Sequence, residues 1–262
     1  SAFTAQWKPD AALPRIVKIE GGAAPNIVAQ KAEALLEGME EETARKYCEA
    51  YQAKTGVRFS LSRQGERLRM EAQGQSAHAS TPEKGNNAVQ ALLEALSAMP
   101  FAPSEGFERL QAASRLFPHG DYLGRALGVE QQDSLSGVLT LNLGLFCLDE
   151  TGLRGVVDSR TPICANEENM SRVMARRLAD HGLKLENTAM RPPHHTPADS
   201  PLVQTLLSVY EAYTGRQGGC VAIGGGTYVH NIQGGVAFGC AFPETENNFH
   251  GPDEFAVIDD LL

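Results

Sequence analysis

The residues best suited to chemistry lie in one run, Gly74-Gln75-Ser76-Ala77-His78-Ala79-Ser80-Thr81-Pro82-Glu83-Lys84-Gly85-Asn86-Asn87-Ala88. Gly74 lets the backbone leave a strand, small residues surround the imidazole, Pro82-Glu83 stops the loop, and Gly85-Asn86-Asn87 opens an apolar helix. That pattern presents His78 to a ligand with little bulk around it. A second candidate is Arg160, after the β-rich run Val156-Val157-Asp158-Ser159, where a guanidinium could fork onto a carboxylate; an ordinary surface arginine fits the same place. Gly224-Gly225-Gly226-Thr227-Tyr228 could bring backbone N–H groups against an anion or a carbonyl oxygen, or be a plain tight turn. His250 sits in a polar loop just before Gly251-Pro252, a corner that fixes its ring. Imidazole is the commonest metal ligand, but one ligand cannot hold zinc, whose catalytic sites use about three protein ligands plus water.

Other candidates have plainer readings. His194-His195 adjoins prolines and reads as linker, because adjacent residues rarely converge on one ion. Glu40-Glu41-Glu42 opens a helix, where acidic side chains favour the positive end of the dipole. His119 and His230 have no partner that the sequence identifies. No Gly-x-Ser-x-Gly elbow, phosphate-binding loop or His-Glu-x-x-His helix occurs.

These residues need elements to hold them. Arg15-Ile16-Val17-Lys18-Ile19 reads as a strand, and Lys31 to Leu36 fits helix by propensity and strand by alternation. Glu41 to Lys54 is a helix closed by Gly56. Val57 to Leu61 and Arg67 to Ala72 alternate about Arg63-Gln64-Gly65-Glu66 as a hairpin, and a helix runs from the histidine loop to about Met99. A second unit is loosely similar: strands Val138 to Leu145 and Leu153 to Asp158, a helix from about Asn166 to His181, and a strand at Leu183 to Glu186. An antiparallel sheet with helices on one face, internally duplicated, fits both halves, about residues 15–115 and 135–195. After Arg191-Pro192-Pro193 the grammar becomes α/β: a helix from Pro201 to Gly215 behind Asp199-Ser200, then apolar strands Cys220 to Ile223 and Val236 to Gly239. The expected organisation is therefore an α+β domain over 1–195 and an α/β piece over 196–262.

The 262 residues can bury a substantial core. The net charge of −9 argues against non-specific nucleic-acid binding. No apolar run approaches the ~20 residues of a membrane span. Five scattered cysteines with no Cys-x-x-Cys pair read as reduced thiols in a cytoplasmic protein.

Four of these motifs, in order, resemble the co-catalytic zinc peptidases that include carnosinase, glutamate carboxypeptidase, succinyl-diaminopimelate desuccinylase and the bacterial β-Ala-Xaa dipeptidases. They are the His78 run, Val157-Asp158-Ser159-Arg160, Gly224 to Tyr228, and Asn248-Phe249-His250-Gly251-Pro252-Asp253-Glu254. The likeness runs from about residue 15 to the end and is nearest to the bacterial dipeptidase branch. It implies an α/β catalytic domain with two zinc ions, interrupted by a lid domain that this branch duplicates. In that scheme His78 reaches from the lid to the scissile carbonyl oxygen and stabilises its negative charge. Asn26 assists substrate binding, and Arg160 pairs with the substrate carboxylate. The Gly225-Gly226-Thr227 backbone holds the substrate from the catalytic side, and His250 is the last zinc ligand.

In that family a His-x-Asp ligand motif, a bridging Asp, a Glu-Glu pair and a further Asp ligand all precede the lid, and the resemblance places none of these ligands within this sequence. The expectation is a fragment: the lid over 1–195, then the carboxyl-terminal segment of the catalytic domain over 196–262, inactive and without tight zinc binding alone. The parent is expected to be a monomeric zinc dipeptidase acting on short peptides with a free carboxylate. The fragment is expected to self-associate through exposed surfaces. An N-acyl amino acid deacylase or desuccinylase, and a non-catalytic binding or dimerisation module, are the alternatives.

Overall fold

The computed structural model describes residues 1–239, 242, 244, 245 and 253–260. They fall into two compact units, one of residues 1–193 with 222–225, the other of residues 194–221 and those after 225.

In the first unit the elements are β1 (Ala2–Gln6), β2 (Arg15–Gly21), β3 (Lys31–Glu37), α1 (Glu41–Thr55), β4 (Arg58–Gln64), β5 (Arg67–Gln73), α2 (Ala88–Ala98) and α3 (Glu105–Leu116). There follow a two-residue hairpin, β6 (Gln132–Asp133) and β7 (Gly137–Val138), then β8 (Thr140–Leu148), β9 (Gly152–Arg160), α4 (Arg172–Ala179) and β10 (Lys184–Leu185). Eight strands make one sheet in the order β10-β1-β9-β8-β2-β3-β5-β4. Its neighbouring pairs are all antiparallel. The α+β class with a large antiparallel sheet is thus as the sequence leads one to expect. β2 and β8 join the two series of strands, with Ile19 opposite Leu148 and Gly21 opposite Phe146.

Lys31–Glu37 resolves as strand because Ala32, Ala34 and Leu36 bury alternately while both edges pair, with β2 and with β5. The sheet's buried positions and the inner faces of the helices form one core, containing Phe3, Ile19, Leu36, Met70, Leu92, Leu96, Leu110 and Leu143. Helix α1 opens on Glu41 and Glu42, as the dipole argument expects, and closes on Gly56 at φ 72°.

β1 and α3 are additions to the sequence reading. β1 lies between β9 and β10, and its Phe3 is fully buried and stacked on Phe117 with ring centroids 4.8 Å apart. Gly155 makes room for that ring, since a Cβ there would fall 2.2 Å from Phe3 Cζ. Helix α3 is capped by Ser104, whose Oγ accepts the Phe107 N–H, and buries Leu110, Ala113 and Leu116.

In the second unit α5 (Pro201–Thr214) begins behind Ser200, whose hydroxyl accepts the Val203 N–H, and ends at Gly215 with φ 66°. The strands expected at Cys220 to Ile223 and Val236 to Gly239 do not form. A strand exists only through a paired neighbour, and none pairs with either segment among the described residues. No helix among the described residues is long and apolar enough to cross a membrane. Cys48, Cys147, Cys164 and Cys220 are free thiols, and burial pushes the Cys48 thiol up to about 11. Cys240 lies outside the described residues.

Candidate functional site

The loop that presents His78 is fastened twice. At its base Gln75 and Asn86 exchange both backbone hydrogen bonds, at 2.9 and 2.8 Å. Gly74 is required there, because a Cβ would lie 2.0 Å from the Asn86 carbonyl oxygen. Higher up, the Val28 N–H donates to the Ala77 carbonyl (2.8 Å) and the Ala79 N–H to the Asn26 carbonyl (2.9 Å). Those two bonds flank Ile27 and His78, which face each other as an antiparallel pair without hydrogen bonds of its own. Side chains of such a pair sit close together on one face. Val28 and Ala79 are buried, so Ile27 and His78 turn outward, and both are exposed. The imidazole folds back over its own turn: Nδ1 lies 2.7 Å from Ser80 Oγ and accepts the Ser80 N–H at 3.2 Å.

Asn26 is carried by the segment between β2 and β3, and a buried amide pair anchors that segment. Asn142 Nδ2 donates to the Pro25 carbonyl (3.0 Å) and the Ile27 carbonyl (2.9 Å). Its Oδ1 accepts from Asn87 Nδ2 (3.3 Å), which also donates to the Leu143 carbonyl (2.9 Å). Asn87 Oδ1 in turn caps α2 by accepting the Val89 and Gln90 N–H groups. Both amides are buried, and every polar atom of each has a partner. Gly144 lets the segment approach, because a Cβ there would meet the Pro25 carbonyl oxygen at 2.3 Å.

Arg160 ends β9 opposite Thr140, and Thr140 Oγ1 donates to the Ala79 carbonyl (3.0 Å), one residue beyond His78. The guanidinium grips Asp158 with Nε on Oδ1 (2.6 Å) and Nη2 on Oδ2 (3.1 Å). Nη1 donates to the Gly224 carbonyl (2.7 Å). A Cβ on Gly224 would be 3.5 Å from Ser80 Cβ and 3.6 Å from Arg160 Cβ, so Gly224 sits between the two. The Asn26 and Gly224 backbones, His78 and Arg160 therefore gather at one end of β8 and β9, with the Arg160 guanidinium as a hydrogen-bond donor suited to oxygen atoms. Asp158, Ser80, Thr140 and Asn142 were not singled out from the sequence. The signal for the last two was polar residues interrupting the apolar run Leu139-Thr140-Leu141-Asn142-Leu143.

Gly225 belongs to the first unit, and Gly226 and Thr227 to the second. His250 lies outside the described residues. Among the described residues no three His, Cys, Asp or Glu side chains converge as metal ligands, so these residues alone do not fit a zinc centre. His119, partnerless in sequence, proves to be a structural residue: Nε2 lies 2.7 Å from Asn86 Oδ1 and its N–H donates to Glu94. Burial holds its imidazole below the ordinary histidine value. In the second unit His194 Nε2 bonds the Gly235 carbonyl (2.7 Å), and its ring lies 5.9 Å from that of His230.

No family model matches the chain. It is 33% identical over 258 residues to the Bacillus subtilis (strain 168) protein named "Putative dipeptidase YtjP", covering 97% of this chain and 55% of that one. It is 30% identical over 247 residues to the Beta-Ala-Xaa dipeptidase of Lactobacillus delbrueckii subsp. lactis, covering 94% and 52%. Against "Putative dipeptidase SH1171" of Staphylococcus haemolyticus (strain JCSC1435) the figures are 27% over 191 residues, 72% and 40%. The chain spans about half the length of these relatives.

Proposed function

We propose that this chain is the substrate-facing part of a dipeptidase, and that its first unit is a lid over the scissile bond. The observation that carries the reading is the convergence of Asn26, His78 and Arg160 on one end of β8 and β9, and the names of the relatives agree with it. In this reading His78 donates to the scissile carbonyl oxygen as negative charge builds there, a contribution of about 2.7–4 kcal/mol to the barrier. Arg160, held by Asp158, offers its remaining N–H groups to the substrate's terminal carboxylate. Asn26 and the backbone of Gly225, Gly226 and Thr227 hold the peptide, and His250 is a metal ligand. Zinc belongs to the proposal as a requirement of the whole protein, with most ligands supplied from outside the described residues.

The lid is proposed to be an internal duplication. Outward from the β2–β8 junction, one series runs β2, β3, β5, β4 and the other β8, β9, β1, β10. In each, a hairpin is followed by a helix and then by the edge strand. A register shift falls at Val17 in β2 and at Gly144 in β8. Counting from these, Arg15 opposite Glu37 corresponds to Asn142 opposite Asp158.

The test is turnover of a dipeptide panel by the full-length protein, with N-acyl amino acids as competitors and with or without a chelator. Chelator-sensitive cleavage of dipeptides is expected, with kcat falling about 10²–10³-fold in His78→Ala. Metal-independent cleavage, no cleavage, or an unchanged kcat in that variant overturns the reading; preference for N-acyl amino acids moves it to a deacylase.

A further inference from the structure

A histidine that stabilises a developing negative charge must present a proton at the atom facing the substrate. Either ring nitrogen can carry it, and the backbone N–H and the hydroxyl of Ser80 together decide between them here. An amide can only donate, and the Ser80 N–H is directed at His78 Nδ1 at 3.2 Å. Nδ1 therefore holds a lone pair. Ser80 Oγ, 2.7 Å from the same nitrogen, must then be a donor too, its hydroxyl hydrogen turned toward the ring. With Nδ1 an acceptor, the ring proton sits on Nε2, the nitrogen opposite, which has no partner among the described residues.

We infer that Ser80 is a positioning residue for His78, fixing the tautomer with Nε2–H directed outward as a ready hydrogen-bond donor. The contact is built in by the turn. The Thr81 N–H closes it on the His78 carbonyl (2.9 Å), and Thr140 Oγ1 fastens the Ala79 carbonyl (3.0 Å). Ala79, between His78 and Ser80, is wholly buried. A side chain accepting from the amide two residues on is the geometry by which Asx and Ser/Thr side chains stabilise turns. Here it serves to aim a ring. The alternative tautomer would set Nδ1–H against the Ser80 N–H, two donors facing each other, and would turn a bare lone pair toward the substrate.

This inference rests on the proposed role of His78, but it is tested without turnover. Record the ring nitrogen spectrum of protein labelled with ¹⁵N-histidine, assigning His78 by its loss in His78→Gln. The wild type is expected to show Nδ1 as a bare acceptor nitrogen and Nε2 as the protonated one. Ser80→Ala removes the 2.7 Å hydroxyl bond and leaves only the longer 3.2 Å amide contact, so the two resonances should move part of the way toward each other as the tautomers begin to exchange, and Ser80→Thr, which keeps the hydroxyl, should restore the wild-type pattern. A wild-type ring protonated on Nδ1, or a Ser80→Ala spectrum superposable on the wild type, overturns the inference. Loss of the His78→Ala effect on kcat, with the ring spectra as expected, overturns the functional reading and leaves the tautomer assignment standing.

Discussion

Asn142→Ala tests the physical core of the site directly. The side chain is only 3% exposed and makes three hydrogen bonds: two donated to the Pro25 and Ile27 carbonyls and one accepted from Asn87. At about 1 kcal/mol net for each bond, the substitution should cost roughly 3 kcal/mol of stability. For a chain of this size that corresponds to a fall in Tm of roughly 6–12 °C. Asn142→Asp should cost more at neutral pH, because a buried carboxylate would face two carbonyl oxygens. Its folded-state pKa would be raised, so the extra cost is present above that raised value. It disappears as pH falls through it toward the ordinary carboxylate range. Thermal unfolding followed by circular dichroism at pH 7.5 and pH 4.5 measures both effects. A loss below about 0.5 kcal/mol in Asn142→Ala would place it in the range of ordinary surface substitutions and refute the anchoring argument.

Three further outcomes are expected. Asp158→Asn removes the charged acceptor that fixes the Arg160 fork; KM for dipeptides should rise about tenfold with kcat nearly unchanged, in steady-state kinetics of the full-length protein. His119→Gln keeps a donor for Asn86 but cannot titrate. Since the folded state holds His119 below the ordinary value, the wild type should lose stability as pH falls below about 6.5 while the variant loses less. Urea midpoints at pH 7.5 and pH 5 compare them. Gly144→Ala would drive a Cβ to 2.3 Å from the Pro25 carbonyl oxygen and should cost about 1–3 kcal/mol in the same urea experiment.

The fold was legible wherever local signals agreed with the pairing. The hairpins β4–β5 and β8–β9, the Gly56 and Gly215 helix ends and the Ser200 cap were all visible as turn and cap chemistry. β1 escaped because five residues with two small alanines carry little periodicity, and their place between β9 and β10 is set by partners about 150 and 180 residues away. The apolar segments near Ile223 and Phe238 were misread for the converse reason: composition suits a strand, but composition supplies no partner. In the site, motif spacing was enough to single out His78 and Arg160. What it could not reveal is that Arg160 is already committed to Asp158 and Gly224, or that Asn142 holds the Asn26 segment. The Arg160–Gly224 and Asn142–Pro25 contacts join residues 64 and 117 positions apart, and no local pattern encodes them.

The proposed duplication makes the asymmetry of the sheet informative. Asn142 and its counterpart Arg15 occupy equivalent positions beside equivalent register shifts, yet at opposite ends of the sheet. At the Asn142 end the connection from β2 to β3 is long, and an amide with two N–H groups is what two converging carbonyls require. At the Arg15 end the connection from β8 to β9 is a tight turn. Hydrogen bonds from the Thr151 hydroxyl and amide hold the Asp149 carboxyl below its usual range. No loop there needs anchoring, and Arg15 instead bonds Glu37 and Glu150 across the strand ends. Trp7 follows β1 where the histidine loop would follow β5, and it packs so closely on Gly106 that a Cβ there would lie 2.8 Å from its ring. An indole and a guanidinium bonded to two carboxylates thus occupy this end, whereas an exposed imidazole on small residues occupies the other. In the proposed reading, the second half of the sheet meets the substrate through β8 and β9, whose Thr140, Asn142, Asp158 and Arg160 hold the segments that carry His78 and Asn26.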